Sequence, residues 1–328
     1  MVTGTRPFVA ICACTYKRPE GLRKLLNGLA KQIFAGLEEA DGRGPGMAIV
    51  IADNEGSEAA RNVCTEFRLQ RSDVPLTYTH EEKRGISHAR NACLDHVPVG
   101  ADFIAMLDDD EIPNPDWLDN LLLAQRATNA DIVVGCVMPI FDEGTPAWIA
   151  GGDFFGRPKR TYELDARDYD DLTRLTWSGS GNVLIRAAAV RDLALRFDPV
   201  HALSGGEDTA FFAQMRKNGC EIVYSKHAVA YEYCPPERAT FAYLVAERFR
   251  MANVNTLLAV QDAGRQARHR LAAGSTGLSH LGSGFRRVLT TLVAGRWSKD
   301  RFATGAFRIA YGLGMIAGAF GYRYQHYR

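Results

Sequence analysis

Three short apolar runs, at residues 8–14, 47–52 and 103–107, show no helical period, and each ends in a polar loop that leads into a helical segment. After the first run and the loop Thr15-Tyr16-Lys17-Arg18-Pro19, Leu22, Leu25, Leu26 and Leu29 recur at i, i+3, i+4 and i+7. This is an amphipathic helix with proline near its first turn. The second run ends in Asp53-Asn54-Glu55-Gly56 and a further helix. A short strand at 76–79 precedes Lys83-Arg84-Gly85 and a helix with Ile86, Ala89, Cys93, Leu94 and Val97 on one side. The third run is followed by a helix expected to be capped by Asn114, with Pro115 behind it. Strands that alternate with crossover helices build an α/β, doubly wound, mainly parallel sheet.

In such sheets ligands sit beyond the carboxyl ends of the strands, at the switch in strand order. Thr15 to Arg18, Asp53 and Asp108 to Asp110 therefore fall along one edge. The third run ends in Asp108-Asp109-Asp110-Glu111. Carboxylates so close raise one another's pKa unless a cation compensates, and a divalent metal is the simplest compensation. Taken singly, Asp53 also suits a helix-entry cap and Arg18 a solvated side chain. Glu111 reads as a loop residue.

The second half is less regular. A strand at 132–137 is followed by a mixed stretch, 141–174, with Trp148, Phe154, Phe155 and Tyr162. Those aromatics suit either a sugar face or hydrophobic pinning of the loop. Trp177-Ser178-Gly179-Ser180-Gly181-Asn182 precedes a strand at 183–185, with glycines that let backbone approach a ligand. Ser204-Gly205-Gly206-Glu207-Asp208 opens a helix carrying Phe211, Phe212 and Met215. Acids in a first helical turn suit the macrodipole, and after a flexible Gly-Gly they also suit a general base.

Seven cysteines without a zinc-type CxxC pair favour a reduced, cytosolic chain, and no leader is expected at the N-terminus. Cys12 and Cys14 alternate in an apolar run and read as core. The net charge of +1 hides an asymmetry, because eleven Lys or Arg but one acid, Asp300, lie between Arg265 and the end. Arg265, Arg268, Arg270, Arg286, Arg287, Arg296, Lys299, Arg301 and Arg308 are mixed there with apolar and Gly/Ser-rich sequence. Residues 302–322 are long enough to span a bilayer but contain Arg308 and several glycines. A basic interfacial surface for anionic lipid fits better, with packing on the body as the alternative.

In order, Cys14-Thr15-Tyr16-Lys17-Arg18-Pro19, Asp53-Asn54, Gly85-Ile86-Ser87-His88-Ala89-Arg90-Asn91, Leu107-Asp108-Asp109-Asp110-Glu111, Gly179-Ser180-Gly181-Asn182, Gly206-Glu207-Asp208 and Pro236-Glu237-Arg238 form a set. With that set the chain resembles the family 2 glycosyltransferases of the GT-A fold, and is similar to those that assemble bacterial exopolysaccharides of the succinoglycan type. The resemblance covers about residues 8–250. It implies a Rossmann-like catalytic domain at 1–250, with a nucleotide-binding half at about 1–135 and an acceptor and catalytic-base half at about 136–250. A helical, basic extension at 251–328 follows.

The resemblance further implies an inverting transferase that uses a nucleotide-diphosphate sugar, commonly UDP-linked, with Mg2+ or Mn2+. Thr15, Tyr16 and Arg18 would line the nucleotide, Asp53 would accept a hydrogen bond from the base, and Arg90 would sit near the uracil or the phosphates. Asp108 and Asp110 match a DxD motif, Asp110 as direct metal ligand and Asp108 reaching the ribose or the metal. Asp208 matches the catalytic base, with Glu207 as the alternative.

Many family members carry a metal-ligating histidine before the Pro-x-Arg segment, where Glu232 stands here as an oxygen ligand suited to Mg or Mn. His227, five residues out of register, reads as structural, and Arg238 and Arg248 suit either a phosphate or loop packing. The implied acceptor is a glycan on a polyprenyl diphosphate, met at an anionic membrane surface. The implied location is peripheral, on the inner face of a bacterial cytoplasmic membrane, with no nucleic-acid partner.

Two other classes remain. A sugar-nucleotide nucleotidyltransferase would need a glycine-rich loop where Thr15-Tyr16-Lys17-Arg18 stands, and a non-catalytic sugar- or lipid-binding module would need no base. No GxGxxG follows the first strand, so a dinucleotide oxidoreductase lacks support.

Overall fold

A computed structural model describes residues 6–37, 44–152, 154–155, 169–264, 266–293 and 299–324. Tyr162, Arg265 and Arg296 lie outside the described residues. The first half runs β1 (Phe8–Thr15), α1 (Pro19–Leu29), β2 (Gly46–Asp53), α2 (Glu58–Gln70), β3 (Leu76–His80), α3 (Ile86–Asp95), β4 (Phe103–Asp108), β5 (Glu111–Pro113), α4 (Trp117–Thr128). Then come β6 (Ile132–Phe141), α5 (Ala147–Ala150), β7 (Arg174–Leu175), β8 (Val183–Arg186), α6 (Ala187–Asp192), α7 (Glu207–Lys217) and β9 (Ile222–Cys234). Three helices close the chain: α8 (Phe241–Asp262), α9 (Ala267–Val293) and α10 (Lys299–Ala319).

Among the described residues the strands form one sheet in the order β3-β2-β1-β4-β8-β6-β9-β5, with β7 on β9. Its first block is parallel, as alternation with helices requires. Beyond β4 the sheet becomes mixed, because β8 runs antiparallel to both β4 and β6. An apolar run states that a strand is buried but not its direction, so alternation alone accounts for the parallel block up to β4, and the whole is the mixed, mainly parallel sheet flanked by helices that the resemblance to the GT-A fold implies.

Alternation along the strands divides the core. Val9, Ile11 and Ala13 of β1 join Leu22, Leu25 and Leu26 of α1, Phe67 of α2 and Trp117 of α4 on one face. Cys12 faces the other side with Cys93 of α3, Phe197, and Phe211, Phe212 and Met215 of α7. A fully buried Leu or Ile contributes about 2 kcal/mol, so the strand edge that carries the polar loops is held rigidly from both faces.

Two expectations change. Helix α4 begins after Asp116, not at Asn114, and the Asp116 side chain does not cap it; the Gln32 side chain, from beyond α1, accepts the Leu118 N–H of its first turn at 3.0 Å. Asn114 instead donates to Asp116 Oδ1 at 2.8 Å. The boundary at 250/251 falls inside α8, which runs unbroken through it. Helix α10 packs against both α8 and α9 and so fastens α9 to the body. Close approach explains the glycines at these contacts: a Cβ on Gly314 of α10 would lie 2.2 Å from the Phe249 carbonyl oxygen of α8, and one on Gly284 of α9 would lie 2.7 Å from that of Gly305 on α10. No helix among the described residues is long and apolar enough to cross a membrane.

Candidate functional site: a carboxylate and arginine cleft

Strand register builds the site. Thr15 stands beside Asp53, and Cys14 beside Asp108, so the carboxyl ends of β1, β2 and β4 open together into a cavity of about 1220 Å³. Thr15, Tyr16, Arg18, Arg90 and Asp108 line it, as do Asp110, Glu232, Glu207 and Asp208. The structure therefore brings together nine of the ten residues singled out from the sequence.

Asp53 is the exception. It is fully buried, and its carboxylate accepts from the Glu55 N–H at 2.9 Å, the Ser57 N–H at 3.0 Å and the Tyr78 hydroxyl at 2.8 Å. Three internal donors make it the organiser of the β2–α2 loop, in line with the helix-entry alternative and not with the expected contact to a nucleobase. Burial, together with the bond to Asp53, pushes the Tyr78 hydroxyl up to about 12. Asn54 lines the cavity in its place. Its side chain donates to the carbonyls of Glu81 and Lys83 and accepts from Gly85 N–H, which fixes the loop before α3.

The four acids at the end of β4 have four environments. Asp108 accepts from Arg90 Nη2 at 3.2 Å. Asp109 turns inward, accepting from the Thr15 hydroxyl at 2.8 Å and Arg18 Nη1 at 3.1 Å. Burial pushes its carboxyl up to about 6, against the opposing effect of Arg18. Asp110 meets Arg18 at 2.8 Å and Arg238 at 3.5 Å. Glu111 is no loop residue: it is fully buried in β5 and accepts the Asp108 N–H at 3.1 Å. Its neighbours Ile112 and Pro113 were the signal that the chain re-enters the sheet.

Three arginines thus supply the compensating charge that the acid run demanded. The metal must be tested against that arrangement. Asp110 and Glu232 lie 3.5 and 3.6 Å from the same Arg238 Nη1, so two oxygen donors converge at the cavity wall. Magnesium or manganese serving a sugar diphosphate needs only one or two carboxylates, the rest of its shell being phosphate and water. The pair fits such an ion. Among the described residues no group of three or more His, Cys, Asp or Glu could hold a metal unaided. Asp108 is committed to Arg90 through Oδ1, and His227 is exposed with Asp171 at 4.0 Å, away from the cavity.

Across the cleft, α7 starts at Gly206, whose φ of +88° is left-handed and whose added Cβ would come within 2.3 Å of Val254 Cγ1 on α8. Only glycine meets both demands. The two acids that follow diverge. Glu207 is buried and paired with Arg90, leaving its Oε2 without a partner. Burial pushes its carboxyl up to about 7, opposed by Arg90 and reinforced by Asp208. Burial also disfavours the Arg90 charge, but Glu207 and Asp108 outweigh it, and the guanidinium pKa lies above its ordinary value. Asp208 is half-buried on the cavity wall and accepts from Thr209, by N–H at 2.6 Å and by hydroxyl at 3.3 Å.

The aromatic loop serves its hydrophobic role and meets the cavity too. Phe154 packs edge-on to Trp148 and Phe307 at 5.6 and 5.5 Å, while Phe154 and Phe155 reach the lining. Asn182 is structural, donating to the carbonyls of Cys136 and Ala228 and accepting from the Trp117 indole. Arg248 is buried with its guanidinium 5.7 Å from the Phe307 ring centre. Cys12 is core as expected, whereas Cys14 is half-buried at the cavity floor, 3.9 Å from Cys93 Sγ.

Residues 10–188 match glycosyl transferase family 2. The succinoglycan biosynthesis protein ExoM of Rhizobium meliloti (strain 1021) is 33% identical over 318 residues, 95% of this chain and 93% of that protein. Among solved structures, the mannosyltransferase PcManGT from Pyrobaculum calidifontis, in complex with GDP-Man and Mn2+, superposes with a TM-score of 0.57 at 17% identity, covering 94% of this chain and 86% of that one. Residues 1–349 of S. aureus TarS superpose with a TM-score of 0.51 at 16% identity, covering 98% and 93%. The chain spans 54% of a longer TarS chain. These likenesses show the fold of GT-A glycosyltransferases, and the family match covers more than half of the sequence: the chain belongs to glycosyl transferase family 2.

Proposed function

We propose that the protein moves a sugar from a nucleotide-diphosphate sugar, UDP-linked, to a hydroxyl of a growing glycan, with inversion at the anomeric carbon. The observation that carries this reading is the contrast between Glu207 and Asp208. One acid is enclosed by Arg90, and its neighbour is open to the cavity across from Asp108 and Asp110. A single displacement needs a base on the acceptor side and charge compensation on the diphosphate side, and no enzymic nucleophile.

In this reading Asp208 takes the acceptor proton. Thr209 orients it by two hydrogen bonds. Arg18 and Arg238 stand over Asp110 where a diphosphate would arrive, and each has a phosphate-binding geometry once released from the carboxylate. Asp110 and Glu232 would hold Mg2+ or Mn2+, which when bound neutralises diphosphate oxygens and improves the leaving group. Asp108 and Arg90 form the wall between donor and base. Tyr16, half exposed with Arg84 5.8 Å from its ring centre, offers a face for the nucleobase.

The similarity to ExoM supports a role in exopolysaccharide synthesis, and the bound GDP-Man and Mn2+ of PcManGT support a metal-assisted sugar-nucleotide donor. The acceptor in this proposal is a glycan on a polyprenyl diphosphate, met at the inner face of the cytoplasmic membrane, with the basic tail as the membrane contact. Release of nucleotide from a panel of UDP- and GDP-sugars, with lipid-linked oligosaccharide as acceptor, tests the reading. Transfer from one UDP-sugar supports it, and transfer from none removes it.

A further inference from the structure

Helix α9 carries an apolar stripe that the fold leaves uncovered. Leu271, Leu278, Phe285 and Leu292 recur every seven residues with Leu289 between them, and all five are between 56% and 73% exposed. The other side of the helix is spent on α10. Thr291 is buried, Gly277 abuts the Gly312 carbonyl and Gly284 that of Gly305, and His280 meets the Tyr311 ring at 5.2 Å. At 100° per residue the stripe lies about 120° around the helix from that packed side, so the contact with α10 leaves it open.

Charge identifies the occupant. Helix α9 contains no acid, and its exposed arginines flank the stripe: Arg268 and Arg286 on one side, Arg270 on the other, with Arg287 toward the back. Apolar centre, basic margins and no acidic residue describe a helix that lies in the interfacial plane of an anionic bilayer. A second copy of the chain is disfavoured by the same pattern, since two such stripes would oppose arginine to arginine without a carboxylate between them.

We infer that the Leu271–Leu292 face of α9 is the surface that enters an anionic membrane, laid flat and held to the catalytic body through α10. This inference rests on the membrane reading of the tail and assigns it one face of one helix. Because α8 lines the cavity and α10 joins α8 to α9, insertion sets the bilayer surface two helices from the cavity. A lipid-anchored acceptor can then reach Asp208 without the enzyme crossing the membrane.

Flotation of the full chain with phosphatidylcholine vesicles, with and without 30% phosphatidylglycerol, tests it against two double variants. Leu278→Glu with Phe285→Glu removes the stripe. Leu69→Glu with Val99→Glu adds the same charge at exposed apolar positions elsewhere. The expected result is at least tenfold more binding of wild type and of the control to phosphatidylglycerol vesicles than of the stripe variant, at equal thermal midpoints. Arg286→Gln with Arg287→Gln should lower the preference for phosphatidylglycerol severalfold, and it keeps the test alive if the glutamate variant fails to fold. Equal flotation of wild type and stripe variant overturns the α9 assignment while leaving the membrane reading in place. No flotation of wild type overturns both, and a wild-type dimer lost in the stripe variant without vesicle binding overturns it in favour of a second copy.

Discussion

Arg90 and Glu207, 117 residues apart, form a buried ion pair that ties α3 of the donor half to the first turn of α7, where the candidate base sits. Arg90 also reaches Asp108 at 3.2 Å, so one guanidinium spans the floor of the cleft. Removing one partner of such a pair strands the other charge. Arg90→Ala should cost about 3–5 kcal/mol in urea unfolding, and Arg90→Lys should restore only part of it, because an ammonium cannot bridge both carboxylates in plane.

The same pair sets a pH dependence. Burial raises the Glu207 carboxyl from its ordinary 4.5 to about 7, so between those values the folded state binds the proton more tightly than the unfolded state. Stability contributed this way is present below about pH 4.5 and is lost as pH rises through 7, by up to about 3 kcal/mol. Unfolding free energies of wild type and Glu207→Gln, compared from pH 5 to 7.5, should diverge by that slope. Parallel curves would show that Glu207 titrates normally.

Gly206 offers a steric test. Alanine there meets both the positive φ and Val254 Cγ1, and the variant should lose about 2–4 kcal/mol together with transferase activity. In a Val254→Ala background the loss should shrink to the backbone component alone. An unchanged loss would mean that the α7–α8 contact does not hold the base.

Metal dependence is read from donor binding. Calorimetric titration of UDP should give at least tenfold tighter binding with Mn2+ than with a chelator. Asp110→Asn should abolish that difference, and Glu232→Gln should reduce it, since each removes one of the converging oxygens. Equal affinity with and without metal in wild type would leave Arg18 and Arg238 as the sole diphosphate partners.

Much of this was legible in the chain. The apolar runs located β1, β2 and β4 to within a residue or two, and the leucines at i, i+3, i+4 and i+7 located α1. The acids and arginines at the strand ends did converge, because parallel strands in register place their carboxyl ends side by side. What the sequence withheld was orientation. Asp53 suited a helix-entry cap as well as a ligand, and only its three donors in the fold decide for the loop, while the Ile112-Pro113 signal for a buried Glu111 was there to be read and nothing local gave the direction of β8. Nor could adjacency alone separate Glu207 from Asp208. The distinction comes from Arg90, which folding brings from α3.

The account depends most on Asp208 as the base, and the direct measurement is transfer by Asp208→Asn alongside its affinity for the donor nucleotide. Loss of a positioned base should lower the transfer rate by about 10²–10⁴-fold while UDP binding stays within a factor of about two. A variant that transfers sugar within a few-fold of wild type, or that loses nucleotide binding in proportion to activity, would contradict it.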